Sequence, residues 1–114
     1  MYKKIILIDL DGVLNNYIKY TDDIPEIRQG AKEFIEKLYS INEYELVLFT
    51  TRNKILAVKW LIDNQLDKYF KDVTNIKIPS YIHIDDRAIC FKGDFNQTFD
   101  EISNFRVHWK QKEL

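Results

Sequence analysis

The feature that most restricts the fold is a short apolar run near the start of the chain, KIILID at residues 4–9. A continuous apolar run of this length is typical of a strand that is buried on both faces. Two further runs, ELVLFT at 45–50 and IHI at 82–84, predict two more strands. Strands of this kind need a covering layer on their sheet, so the sequence predicts an α/β protein.

Helical periodicity between these strands supplies the covering layer. The first predicted helix follows Gly30, and Asn53 can cap the second. Their apolar positions are Ala31, Phe34, Ile35 and Leu38 in the first helix, and Leu56, Ala57, Trp60 and Leu61 in the second. The order strand, helix, strand, helix, strand predicts one Rossmann-like domain over residues 1–114, with a mostly parallel sheet and helices on both faces.

The other segments carry weaker signals. We expect residues 12–27 to form a loop or short flap, and AICFKGDF at 88–95 to form a small hairpin. Thr98 and Glu101 are spaced as a capping box for a last short helix. The final segment, HWKQKEL at 108–114, is polar, and we expect it to fray.

Length and composition exclude several classes of protein. A chain of 114 residues fits one domain, and its net charge of −1 gives no electrostatic field that favours nucleic acid or an anionic membrane. Cys90 is the single cysteine, which excludes an intrachain disulfide and fits a reducing compartment. The apolar run at the start is too short for a signal peptide or a membrane span. We therefore expect a cytoplasmic protein with no membrane partner.

Polar side chains fall where the predicted strands end. Asp9 and Asp11 follow the first strand, Thr50 closes the second, and Asp85 and Asp86 follow the third. In open α/β sheets, ligands bind outside the carboxyl ends of the strands, so these side chains should converge. Four carboxylates repel one another, and a hard divalent cation such as Mg²⁺ relieves that repulsion. One carboxylate can then attack phosphorus while a second transfers protons.

The motifs at these positions resemble those of the haloacid dehalogenase superfamily of phosphohydrolases. DLDGVL at 9–14 resembles its first motif, DxDGxL, and Thr50 resembles the second-motif hydroxyl that binds the phosphoryl group. Lys77 is similar to the third-motif lysine, and Asp85-Asp86 within IDDR resembles the fourth, acidic motif. The similarity covers roughly the first five-sixths of the chain, about residues 4–95.

This resemblance implies a Mg²⁺-dependent phosphomonoesterase that acts through an aspartyl-phosphate. Asp9 is then the nucleophile, and Asp11 is the general acid and base. The cation is held by the Asp9 carboxylate, the Asp11 backbone carbonyl and Asp86, with Asp85 as a second acidic neighbour. Which of Asp85 and Asp86 is the direct ligand stays open.

The predicted phosphate-binding residues are Thr50, Thr51, Arg52 and Lys77, and Lys77 also counts among the catalytic residues. Thr50 and Thr51 compete for the same role, and the Arg52 guanidinium can bind phosphate with two hydrogen bonds or form a structural ion pair. His83 points to the strand face opposite to that of its neighbours, and we expect it to serve packing.

The motif spacing leaves no room for the cap domains that many members of this superfamily carry. Only 38 residues lie between Asp11 and Thr50, and Lys77 stands eight positions before Asp85. We therefore expect an open site, which suits a phosphorylated macromolecule, or a phosphorylated small molecule covered by the partner subunit of a homo-oligomer.

Two alternatives remain at this stage. One is a non-catalytic phosphate-binding or regulatory protein on the same fold, because fold alone does not establish chemistry. The other is a nucleotidase or a polynucleotide 3′-phosphatase, which the IDDR turn also resembles. The near-zero net charge does not support a long nucleic acid as partner.

Overall fold

A computed structural model describes residues 2–110, which form a single parallel sheet with helical connections. The strands are β1 (Lys4–Asp9), β2 (Tyr44–Phe49), β3 (Phe70–Thr74) and β4 (Ile82–Ile84), in the spatial order β3-β2-β1-β4. The helices are α1 (Ala31–Ser40) between β1 and β2, α2 (Lys54–Asp63) between β2 and β3, and α3 (Phe95–Ser103) after β4. All neighbouring strands are parallel. The predicted α/β, Rossmann-like architecture with a parallel sheet is confirmed.

The strand order determines where a ligand can bind. The chain moves outward from β1 through β2 to β3, and then returns to place β4 on the other side of β1. The order in which strands are added to the sheet therefore reverses at β1. In such folds, ligands usually bind outside the carboxyl ends of the strands at this reversal. Asp9, the last residue of β1, pairs with Phe49 on one side and precedes the loop that faces the end of β4 on the other.

One face of the sheet carries the main hydrophobic core. Its principal residues are Ile6 and Ile8 of β1, Leu46 and Leu48 of β2, Ala31 and Ile35 of α1, and Ala57, Trp60 and Leu61 of α2. Helices α1 and α2 share this core and so lie on the same side of the sheet. Leu7 and Val47, which alternate to the other face, are buried as well. Each fully buried large aliphatic side chain contributes about 1.5–3 kcal/mol to the stability of this arrangement.

Two predicted core positions are wrong. Phe34 of α1 and Leu56 of α2 are 41 % and 52 % exposed. In each helix the residues that face the sheet occupy a narrower stripe than the apolar pattern suggests. The Asn53 cap is confirmed, because its side chain accepts hydrogen bonds from the backbone N–H groups of Ile55 and Leu56.

Strand β3 has no counterpart among the predicted strands. It lies at the sheet edge and has Val73 as its only buried residue, while Lys71 and Asp72 are exposed. An edge strand with charged residues lacks the continuous apolar run that identified the other strands.

The hairpin predicted for residues 88–95 is wrong, and so is the capping box at Thr98 and Glu101. Residues 88–94 contain no strand, and Gly93 adopts a positive φ of 87°. Asp94 is the actual N-cap of α3, since its side chain accepts from the backbone N–H of Gln97. The helix therefore begins one turn earlier than expected.

Helix α3 differs from the other two helices in its packing. None of its residues is buried, and Phe95 and Phe99 are 81 % and 71 % exposed. Beyond it, Val107 is buried again, and His108 and Trp109 contact loops of the sheet edge. The predicted fraying is wrong for residues 108–110, and the rest of that prediction, on 111–114, lies outside the described residues.

Across residues 2–110, every helix is too short or too polar to cross a lipid bilayer. The cytoplasmic location stays a prediction.

Candidate functional site

The loop after β1 turns sharply at Gly12. Its φ of 84° lies in the left-handed region, which side chains other than glycine rarely adopt. A Cβ at this position would stand 2.1 Å from Asp86 Oδ2 and 2.8 Å from Trp109 Nε1. Glycine is therefore needed at position 12 for two reasons: it adopts this backbone conformation, and it leaves the space that Asp86 and Trp109 occupy.

A fully buried asparagine holds this loop in shape. The side-chain oxygen of Asn15 accepts from the backbone N–H groups of Gly12, at 3.1 Å, and Tyr17, at 3.2 Å. Its amide nitrogen donates to Asp11 Oδ1 at 3.0 Å. Arg28 in turn donates to the backbone carbonyl of Asn15 at 2.9 Å. The sequence showed no sign of these roles, because Asn15 follows DxDGxL in a segment without periodicity.

Asp11 is surrounded by hydrogen-bond donors. Besides the Asn15 amide, Arg52 Nε donates to Asp11 Oδ2 at 2.7 Å, and the Arg52 side chain is only 6 % exposed. Arg52 Nη1 donates to the Thr21 carbonyl at 2.8 Å. Within residues 2–110, Arg52 Nη2 is buried and has no hydrogen-bond partner. A buried donor without an acceptor costs about 1–3 kcal/mol, so this atom is well suited to receive an anion.

Asp9 has a different environment. Its Oδ1 lies 2.9 Å from His83 Nε2, and oxygens of Asp9 and Asp85 together with a His83 nitrogen all lie within 4.8 Å of one another. His83 comes from the neighbouring strand β4, where it pairs with Leu7 and so shares the face of Asp9. It also packs edge-on against the Phe49 ring, as the packing prediction requires, but the contact with Asp9 was not predicted.

The acidic neighbours of Asp9 change its protonation. Burial raises the pKa of the Asp9 carboxyl to about 8, and the neighbouring carboxylates, Asp85 first among them, act in the same direction. Burial alone would also raise the pKa of Asp85, but hydrogen bonds from the Arg87 backbone N–H and from Asp9 outweigh it and lower that pKa. The Asp9 carboxyl therefore keeps its proton to a higher pH than the Asp85 carboxyl does.

The two adjacent aspartates of IDDR point to different surroundings. Asp85 faces Asp9 and His83, whereas Asp86 lies against Gly12 and accepts a hydrogen bond from the indole N–H of Trp109. Asp86 also lines the cavity at the sheet edge, and Asp85 does not.

A cavity of about 220 Å³ opens at this edge of the sheet. The predicted site residues that line it are Asp9, Asp11, Thr50, Thr51, Arg52 and Asp86. The Thr50 hydroxyl oxygen accepts from the Arg52 backbone N–H at 3.1 Å, which leaves its proton for a ligand. A second cavity of about 190 Å³ adjoins the first and shares Tyr20, Thr51 and Arg52 with it. Lys77 is exposed and lines neither cavity.

No protein-family model and no curated protein sequence matches the chain. Among solved structures, the chain is similar to one titled "Structure of the conserved protein coded by locus from Bacteroides thetaiotaomicron". The two chains are 22 % identical, with a TM-score of 0.60 over 90 % of this chain and 92 % of that one. At this level of identity the similarity shows a shared fold alone, so the chemistry of the site must be argued from its own residues.

Proposed function

We propose that this protein is a Mg²⁺-dependent phosphomonoesterase. One observation carries the proposal: cation-binding and anion-binding groups line the same small cavity. The carboxylates of Asp9 and Asp86 and the backbone carbonyl of Asp11 can hold a cation, while the Thr50 hydroxyl and the unpartnered Nη2 of Arg52 can receive an anion. A site for a metal alone has no use for the anion donors, and a site for an anion alone has no use for the carboxylates.

The donor set fits Mg²⁺. Asp9, Asp86 and the backbone carbonyl of Asp11 offer oxygen ligands, which this ion prefers, and a phosphate ester offers further oxygens. The raised pKa of Asp9 marks the place where positive charge is missing, because that carboxyl is buried and crowded by other acids. When bound, the cation neutralises the carboxylates and polarises a phosphoryl oxygen.

The proposed reaction uses the two aspartates of DxDGxL. The ionised Asp9 carboxylate attacks phosphorus, the bond to the leaving oxygen breaks, and Asp11 supplies the proton that the leaving alcohol takes. In the second half, Asp11 accepts a proton from water, which attacks the aspartyl-phosphate and releases inorganic phosphate. Asp11 must therefore carry a proton when the first half begins; it gives that proton to the leaving alcohol and regains one from water in the second half. Between the two halves it is ionised, and the donors from Asn15 and Arg52 match that form.

The dimensions of the site favour a small substrate. Cavities that take drug-sized ligands usually measure about 300–1,000 Å³, and both cavities here are smaller. The phosphoryl group fits the first cavity, beside Asp9 and Arg52. The leaving group fits the second, where Ile24 and Leu56 offer apolar contacts and Asp22 offers a polar one.

The test is hydrolysis of p-nitrophenyl phosphate and of a panel of small phosphomonoesters by the purified protein, with Mg²⁺ and with a chelator. We expect turnover that the chelator removes and that Asp9→Asn abolishes, because the amide is no nucleophile. An acid-quenched sample should carry the mass of one added phosphoryl group in the wild type only.

Asp63→Asn is a matched control, because Asp63 pairs with Lys59 on the exposed surface of α2, lines neither cavity, and should leave turnover in place. Turnover that persists in Asp9→Asn would remove Asp9 from the role of nucleophile. A wild type that binds phosphate and Mg²⁺ but hydrolyses no ester would instead support the non-catalytic alternative.

A further inference from the structure

The segment 105–110, here called the C-terminal strap, returns from α3 to the acidic edge of the sheet. Val107 is buried, and the two residues after it each make a hydrogen bond to a site loop. His108 Nε2 bonds the Gly12 carbonyl oxygen, and because a carbonyl only accepts, this nitrogen carries the proton. Trp109 Nε1 donates to Asp86 Oδ2. The strap therefore connects the loop after β1 with the loop after β4.

The Trp109 ring is held from two sides. It meets Tyr17 edge-on, with ring centroids 5.1 Å apart at an angle of 86°. The guanidinium of Arg87, in the loop after β4, stands 5.1 Å from the centroid of the Trp109 ring. Edge-on aromatic contacts and cation–π contacts of this kind are both favourable. The indole N–H is thereby aimed in a fixed direction.

Asp86 has little freedom in this arrangement. Its carboxylate lies directly against the Gly12 backbone and occupies the space that any side chain at position 12 would fill. The indole N–H of Trp109 binds Oδ2, which leaves Oδ1 for another partner. A carboxylate that is bound through one oxygen is restricted to few rotamers, so its other oxygen is presented in a narrow range of positions.

We propose that Trp109 is a positioning residue for a divalent-cation site, in which it fixes Asp86 so that one carboxylate oxygen can bind the metal. This inference rests on the proposed function for the presence of a cation. It adds a residue far from every motif of the sequence, and it makes the strap part of the site. Hydrogen-bond partners of metal ligands typically change metal affinity by about 10–100-fold when they are removed.

The test compares two tryptophan-to-phenylalanine variants by calorimetric titration with Mg²⁺ alone. Trp109→Phe keeps an aromatic ring beside Tyr17 and Arg87 but loses the N–H to Asp86. Trp60→Phe is the matched control. It also removes a hydrogen bond that an indole N–H donates, in this case to the Pro25 carbonyl, but Trp60 lies in the hydrophobic core. We expect Trp109→Phe to weaken Mg²⁺ binding about tenfold or more, and Trp60→Phe to leave it unchanged, with circular dichroism confirming that both variants fold.

Three results would overturn the proposal. Equal Mg²⁺ affinity in Trp109→Phe and the wild type would show that the N–H does not position Asp86. Equal weakening in both variants would assign the effect to general stability. A wild type without measurable Mg²⁺ affinity would remove the site itself. The proposed function is tested separately, by the phosphatase activity of the wild type. If Trp109→Phe loses Mg²⁺ affinity but the wild type hydrolyses no phosphate ester, the enzyme proposal is refuted and the positioning role of Trp109 is kept.

Discussion

Asp9, the last residue of β1, and Asp11, in the loop that follows, have opposite electrostatic surroundings. Asp9 is crowded by Asp85 and by burial, with His83 as its close nitrogen neighbour. Asp11 receives two donors, one of them the buried guanidinium of Arg52. The first carboxyl lacks positive charge and the second already has it. Under the proposed function, the cation therefore belongs on the Asp9 side, whereas Asp11 is oriented by Asn15 and Arg52.

The largest effect that tests this comparison should come from Asp11→Asn. The amide keeps the backbone carbonyl and the shape of the side chain but cannot supply a proton to the leaving oxygen. We expect the first chemical step to slow by roughly 10²–10⁴ for an alkyl phosphate, and by less for an aryl phosphate, whose leaving group needs less protonation. Rapid-quench kinetics isolates that step.

Mg²⁺ affinity provides the control for Asp11→Asn, because we expect it to stay close to that of the wild type. Equal slowing for both substrates would argue against Asp11 as the acid. A large loss of Mg²⁺ affinity would mean that its side chain, rather than its backbone, is a ligand.

The next effect concerns stability. Arg52→Leu leaves the Asp11 carboxylate partly buried without its guanidinium, and we expect a loss of about 1–3 kcal/mol in the free energy of unfolding. The loss is smaller than for a fully buried pair because the Asp11 side chain is 25 % exposed. Urea denaturation of the wild type, both single variants and the double variant Asp11→Asn/Arg52→Leu measures the coupling. Additive effects in this cycle would contradict the pairing.

The smallest predicted effect is a pH dependence on the Asp9 side. The pKa of Asp9 is raised from 3.8 to about 8, so Mg²⁺ must displace a proton at neutral pH. Affinity should therefore rise with pH and level off above about 8, by up to about tenfold per pH unit. Titrations in buffers of different ionisation enthalpy should detect the released proton.

The same carboxyl affects stability in the absence of metal. A raised pKa in the folded state stabilises the fold at pH values below 3.8, and this contribution is lost as the pH rises through about 8. Asp9→Asn should therefore melt at a higher temperature than the wild type at pH 8 without Mg²⁺, and the gap should narrow toward pH 4. A gap that does not change with pH would place the missing positive charge elsewhere.

The sequence allowed most of the sheet to be predicted, because β1, β2 and β4 are apolar runs and parallel strands bring their ends together. That rule alone placed Asp9, Asp11, Thr50 and Asp86 around one cavity. Edge strand β3 could not be recognised in the same way, since the sheet needs only Val73 from it for the core. Lys77 was assigned by motif order, but no strand end carries it to the cavity.

Sequence patterns could not identify residues whose role depends on a few specific contacts in the folded protein. Composition marks the segment around Trp109 as polar and frayed, yet two side chains anchor it to the site. Asn15 has an equally weak signal, since its partners are backbone groups of its own loop. Only His83 could have been found, because its register beside Leu7 places it on the face of Asp9.

The bond between His108 and Gly12 joins residues 96 positions apart, which has a consequence for the order in which the protein is made. During synthesis, β1, β2 and the helices between the strands can assemble as soon as they leave the ribosome, because their contacts are closer in sequence. The acidic edge cannot be completed until residue 109 has emerged. The strands can therefore pair in a nascent chain before the loops after β1 and β4 gain their contacts with His108 and Trp109.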